Sequence, residues 1–304
     1  MATDQARWHF AHVDSRNNEV GENVLTINAV EDMDADALSH YRRDKRSIAA
    51  YFESIRLTQS VRLNLQEFLE AIVHYGGEFL ETRQMGEQQL DEISLNLSRL
   101  LLNILSMFRA LLDHSATSLS REFGKNSSQL DQWKSKLSKI YDESIEYRFF
   151  YKLRNYAQHV GVPPIRISFS DSAKESGISF GLGLSRDVLL EQHDVWGAVV
   201  RAELESGPDT IPVINFLQEW SISFNELEAL LLDIKREAAD PAATRIANHR
   251  NRLKLPQSGQ VCVVCIPTTE DNPKNLDLNL DWLPEQKALQ ILDVASAERH
   301  AADA

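Results

Sequence analysis

Apolar residues recur at steps of three and four between Leu90 and Phe123, where Leu97, Leu100, Leu101, Ile104, Leu105, Phe108, Leu111 and Leu112 draw one broad stripe. A stripe of that width predicts a core helix. Gly124 to Ser128 ends it, and Ser127 or Ser128 opens a second helical stretch over 129–160 with an expected break near Glu143. Upstream, the chain turns helical in composition from Met33, with Asp34 or Asp36 as N-cap. Leu63 to Val73 keeps helical spacing until Gly76-Gly77, which should break or cap the helix. After Pro164 the period drops to two. Ile165, Ile167 and Phe169 alternate with polar residues, and Ile178, Phe180, Leu182 and Leu184 do so again beyond DSAKESG, which predicts a β-hairpin.

Arg186 to Glu205 then reads helical, and Ser206-Gly207-Pro208 interrupts. Ile211 to Ala238 forms another amphipathic helix with Phe216, Leu217, Trp220, Phe224, Leu227, Leu230 and Leu231 inward. Near the ends, Val24 to Ile27 and VCVVCI suit short strands, one short helix follows Pro284, and ERHAADA should fray. The expected fold is mainly α: a helical bundle with a small β-hairpin insertion near 165–184 and short terminal β segments. Its divisions are 1–87, an N-terminal β and helical extension; 88–240, the helical domain; and 241–304, a C-terminal basic segment, strand and tail.

Composition narrows the function. The 304 residues are 43% hydrophobic, enough for a substantial core, and carry a formal charge of −13 with a pI near 5.2. That balance excludes a general nucleic-acid coat protein, whose affinity would come from neutralising phosphates with Lys and Arg. An RNA-acting protein of this charge must use a local basic patch. Between Arg121 and Val160 eight basic residues face five acidic ones, which suits either a phosphate-facing surface or a solvated helix. Arg42, Arg43, Lys45 and Arg46 read as a solvated face, with RNA contact as the alternative, RIANHRNRLK is the densest basic run, and His114 reads as a surface or satisfied residue rather than a ligand.

Cys262 and Cys265 are the only cysteines, so no disulfide framework exists; one C-x-x-C falls short of the four ligands of a closed zinc site and reads as part of a buried strand. Gly181 and Gly183 lie within a strand pattern and form no phosphate loop. MATDQARWHF carries no leader pattern, and no run reaches about 18 uninterrupted apolar residues, so the expected location is the cytoplasm, away from membranes.

The stretch with chemistry in it is YRFFYKLRNYAQHVGVPP, residues 147–164. Asn155 and His159 are four apart and share a helix face, while Arg154 sits a quarter-turn from Asn155 with a long reach. Phe149, Phe150, Leu153 and Tyr156 would seat the helix in a core, and Gly161, Pro163 and Pro164 stop it. His159 falls in the last turn, where the helix dipole favours a cation. A histidine that titrates near neutrality can take and give a proton.

Arg154-Asn155-x-x-x-His159 resembles the R-[polar]-x3-H signature of HEPN domains, a helical-bundle family that includes many metal-independent endoribonucleases. The likeness extends over residues 88 to 235, through the long apolar helix upstream, the aromatic approach to the motif and the stop after the histidine. A β-hairpin after the motif helix is similar to longer bacterial members. The resemblance implies cleavage of RNA by its own 2′-hydroxyl, with no metal or other cofactor, leaving a 2′,3′-cyclic phosphate and a 5′-hydroxyl. His159 would be base or acid, Arg154 would hold the scissile phosphate through its planar fork, and Asn155 would orient His159 or bond a phosphate oxygen. Glu146, Tyr147 and Lys152 are further candidates for substrate binding.

Acid and base on opposite sides of phosphorus suggest two histidines, whereas the helix supplies one. The resemblance implies a homodimer with a composite site. Family habit also implies a toxin or phage-defence effector restrained by an antitoxin or defence partner. The competing reading is a HEPN-like module that binds RNA, a nucleotide or a protein without cutting, its trio spent on internal pairing and helix capping.

Overall fold

The computed structural model describes residues 7–17, 23–82, 84–172, 177–266 and 278–302. In chain order these form β1 (Arg7–Asn17), β2 (Asn23–Met33), α1 (Ala35–Thr82), α2 (Glu87–Phe123), α3 (Ser128–Glu143), α4 (Ile145–His159), β3 (Ile165–Ser172), β4 (Gly177–Ser185), α5 (Arg186–Gln192), α6 (Ala198–Ser206), β5 (Thr210–Pro212), α7 (Val213–Arg252), β6 (Gln260–Ile266), β7 (Leu280–Trp282) and α8 (Glu285–Ala302). Among the described residues the fold is mainly α, with the strands in two small sheets. Two compact units divide it: Ser54–Leu232, and Met1–Glu53 together with Asp233–Ala304. The sequence patterns instead place boundaries at 87 and 240 and treat the two ends as separate segments.

In the 54–232 unit the striped helix is the core element, as its pattern predicts. Leu97, Leu101 and Ile104 are completely buried on α2, and Leu95, on the opposite face, is 65% exposed. By length and composition α2 is also apolar enough to cross a membrane, but half of that apolar window is buried inside the protein. Ser127 caps α3 by accepting from the Leu130 N–H at 3.3 Å. The break near Glu143 is present, and Ser144 caps α4 by accepting from the Tyr147 N–H at 3.0 Å.

Arg148, one of the basic residues of the expected phosphate-facing surface, is instead buried, donating to the Tyr141 and Asp142 carbonyls at 2.6 and 2.8 Å and pairing with Glu203. Lys136 pairs with Glu226 at 2.6 Å and Lys139 with Glu143 at 4.0 Å, so much of the apparent surplus of charge is matched locally.

The hairpin of β3 and β4 is antiparallel with Ile167 opposite Leu182 and Ser168 opposite Gly181, and β5 adds a third strand through Gly183 opposite Pro212. A Cβ on Gly183 would collide with Thr210 Cγ2 and fall 3.2 Å from the Ile211 carbonyl, and one on Gly181 would collide with Ser168 Oγ. Both glycines therefore serve close strand approach.

In the other unit the sheet order is β2-β1-β6-β7, with Ala11 of β1 opposite Cys262 of β6. Ala11, Val13, Cys262 and Val264 form a small core. Burial pushes the Cys262 thiol up to about 11, which suits an inert core residue. Asp34 caps α1 by accepting from the Ala37 N–H at 2.7 Å. The densest basic run is held in ion pairs: Arg245 with Asp44 at 2.6 Å, Arg250 with Glu285 at 2.8 Å and Arg252 with Glu31 at 2.6 Å.

Several local expectations differ from the structure. α1 continues through Gly76-Gly77 to Thr82, and α7 continues past Ala238 and through Pro241 to Arg252. Helix breakers lose at both places; at Pro241 the burial of Ala239, Ala242, Ala243 and Ile246 offsets the missing N–H. The segment that reads as one helix over 186–205 is α5 and α6 with a break at 193–197. The sequence patterns do not predict β1 or β5, and the single strand expected at 24–27 is the longer β2. Helix α8 extends over the residues expected to fray, and Asp303 and Ala304 lie outside the described residues, as does most of DSAKESG.

Replacing Leu101 by Ala is expected to cost about 2–5 kcal/mol. Leu95→Ala should stay within about 0.5 kcal/mol. Urea unfolding checks this through the shift in midpoint at constant slope; equal shifts for the two variants contradict the assigned core face.

Candidate active site

Helix α4 delivers the motif as its pattern predicts. Ser144 opens it, and Phe149, Phe150, Leu153 and Tyr156 are all buried. Its last residue is His159, after which the Val160 N–H donates to the Tyr156 carbonyl at 2.8 Å. Arg154 and Asn155 are half-buried and His159 is exposed. Among the described residues, no hydrogen bond or ion pair engages these three side chains. The internal pairing expected of an ordinary helix is thus not seen there.

Helical geometry sorts them further. Lys152, Asn155 and His159 follow one another at steps of three and four, a stripe about 60° wide. Arg154 leaves the helix about 140° around from His159, five residues at 100° each. Lys152 therefore shares the histidine's face and Arg154 a different flank. Glu146 does not join them: it lies 13 residues before His159, about 20 Å along the axis, and its carboxylate accepts from Ser144 Oγ at 3.0 Å in the first turn. Tyr147 is 2% exposed, edge-on to Phe108 with ring centroids 5.7 Å apart. Burial drives its phenol pKa upward. It is a core residue with no surface for substrate.

The stripe faces a residue that sequence reading missed. His193, in the break between α5 and α6, is 6% exposed. Its ring stands edge-on to Trp196 at 5.3 Å and to Tyr156 at 5.8 Å. The Tyr156 hydroxyl donates to Gln192, and the Trp196 indole N–H donates to the Leu189 carbonyl at 3.1 Å. These contacts fix the break against α4.

The imidazole pKa of His193 is lowered, first by burial, then by the charge of His159, with Lys152 adding to the effect and Asp194 opposing it. Its Nε2 is buried and has no hydrogen-bond partner among the described residues. His159 and Lys152 of α4 thus lie near enough to His193 for their charges to act on it within a single chain. The available signal in the sequence was the Trp196-Gly197 pair inside a stretch that reads as continuous helix; Gly197 adopts φ +78° and cannot be an ordinary helical residue.

Among the described residues, no group of three or more His, Cys, Asp or Glu side chains is arranged to hold a metal ion. The arrangement offers a solvent-facing imidazole for proton transfer, a guanidinium and an ammonium for an anion, and an amide for orientation. Compared with family models, curated proteins and solved structures, the chain finds no match.

Because the His193 pKa is lowered on folding, the unfolded chain binds more protons between that lowered value and the ordinary histidine value of about 6.5. Stability contributed by neutral His193 is therefore present above about pH 6.5 and is lost as pH falls through this window. Melting curves should show a loss of stability between pH 7.5 and 5.5, and His193→Asn should shrink that loss. An undiminished loss in the variant contradicts the assignment.

Proposed function

We propose that the protein is an endoribonuclease of HEPN type, cutting RNA without a metal by attack of the 2′-hydroxyl on the adjacent phosphorus. The observation that carries this reading is the state of the motif: Arg154, Asn155 and His159 stand at the end of a core-anchored helix with no hydrogen bond or ion pair among the described residues.

In the proposed reaction a neutral imidazole accepts the 2′-hydroxyl proton as the new O–P bond forms. The P–O5′ bond then breaks, and the leaving oxygen takes a proton from an imidazolium. His159 fills one of these roles. Arg154 holds the non-bridging oxygens as negative charge builds, and Asn155 orients His159 or donates to a phosphate oxygen. The products are a 2′,3′-cyclic phosphate and a 5′-hydroxyl. Because Arg154 and His159 leave α4 in directions about 140° apart, a site shared by two protomers suits them better than one built on a single motif. A symmetric homodimer supplies such a site, with a second His159 for the second proton transfer. The acidic surface agrees with a role for local cations rather than a broad basic face. We place the activity in the cytoplasm, in a toxin or phage-defence effector held in check by a partner protein.

Incubation of the purified chain with RNA in EDTA should give fragments ending in 2′,3′-cyclic phosphate. His159→Ala should reduce the rate at least 100-fold with no fall in melting temperature. Equal cutting by the variant removes His159 from the mechanism, and no cutting by the natural chain leaves a binding module. Expression at high level should slow bacterial growth, with Arg154→Ala relieving it; growth unaffected by the natural chain argues against the toxin role.

A further inference from the structure

The break between α5 and α6 gathers positive potential without matching it. Helix α6 has nine residues, its N-cap is Gly197, no side chain caps it and its first turn contains no acidic residue. The opening N–H groups of such a helix present partial positive charge. Instead of a carboxylate, the neighbouring side chain is a lysine: a Cβ built on Gly197 would lie 3.7 Å from Lys152 Nζ. An ammonium beside a helix N-terminus is electrostatically unfavourable unless an anion sits between them.

His193 adds a second, independent sign. It is more than nine-tenths buried and its Nε2 has no hydrogen-bond partner among the described residues, an arrangement that costs free energy. The charges that act on it are those of Lys152 and His159 from α4 and of Asp194 beside it. Asp194 is the one acid among them; its side chain is 94% exposed and lies 3.8 Å from Arg201 of α6. Gly197, Ala198 and His159 are exposed, so the corner is open from outside, and His193 is buried behind it, edge-on to Tyr156 and Trp196.

We propose that this corner is a phosphate-binding subsite, assembled within one chain from Lys152, His159, His193 and the first N–H groups of α6. Resting on the ribonuclease reading for the identity of its occupant, it seats an RNA phosphodiester next to the one that is cut. The anion takes a hydrogen bond from the protonated His193 ring, accepts from the α6 backbone and lies against the lysine ammonium. Binding and protonation of His193 are therefore linked: the anion favours the imidazolium that burial and the neighbouring cations disfavour.

Histidine ring signals in NMR spectra of the full chain, assigned with His159→Asn and His193→Asn, test this. Inorganic phosphate added at pH 6.5 and constant ionic strength should move the His193 and His159 signals saturably and raise the His193 midpoint by about one pH unit, and Lys152→Gln should weaken phosphate at least fivefold. Signals that stay still, or that move equally in Lys152→Gln, overturn the subsite. A short oligoribonucleotide without terminal phosphates should displace the phosphate; failure to do so overturns the diester as occupant. Phosphate bound here by a chain that cuts no RNA sustains the subsite and overturns the ribonuclease reading, so the two fail separately.

Discussion

A continuous pack of aromatic rings positions the motif helix in the 54–232 unit. Trp220 and Phe224 of α7 stack at 5.6 Å, and Phe108 of α2 stands edge-on to Trp220 at 4.8 Å. From there the rings of α4 take over. Phe150 faces Trp220 at 6.3 Å, Phe149 follows at 5.3 Å, and Trp196 lies parallel to Phe149 at 6.2 Å. Each edge-to-face or offset pair contributes about 0.5–1.5 kcal/mol beyond the area it buries. The pattern matters more than the sum, because planar rings with preferred angles fix orientation as well as distance. The same rings that bury one side of α4 carry Trp196, and with it His193, to the side that bears His159.

Charge is arranged on a complementary principle. Arg148 is buried with Glu203 and two carbonyls, a group of contacts whose loss would leave a guanidinium or carboxylate unpaired in a dry place. The basic run at 245–254 is likewise tied to Asp44, Glu31 and Glu285. Against these matched cations, Lys152, His159 and His193 share a corner with Asp194, itself close to Arg201. In an acidic protein such a corner is chemically distinct, since an anion arriving there meets donors that other carboxylates have not already taken.

The two histidines also show how one chain prepares different chemistry for the same side chain. His159 stands at the open end of a helix, and His193 is held edge-on against two rings. Burial and neighbouring cations push His193 toward its neutral form. A group in that state responds strongly to a ligand that brings negative charge.

What the sequence determined by itself was whatever depends on residues close together along the chain. The α2 stripe, the Ser127 cap, the break near Glu143, the stop after His159 and the alternation of the hairpin are all local, and each appears in the structure where its pattern placed it. The common face of Asn155 and His159 belongs to the same class, because helical period alone creates it. Tertiary structure decided the rest. It buried Tyr147, spent Arg148 on Glu203, carried α1 through Gly76-Gly77 and paired β1 with β6 across most of the chain. It also set His193 beside the motif, 34 positions beyond His159. The Trp196-Gly197 pair marks a break near His193, but the meeting itself follows from the packing of Trp196 on Phe149 and Tyr156, a contact between segments that only the folded chain brings together.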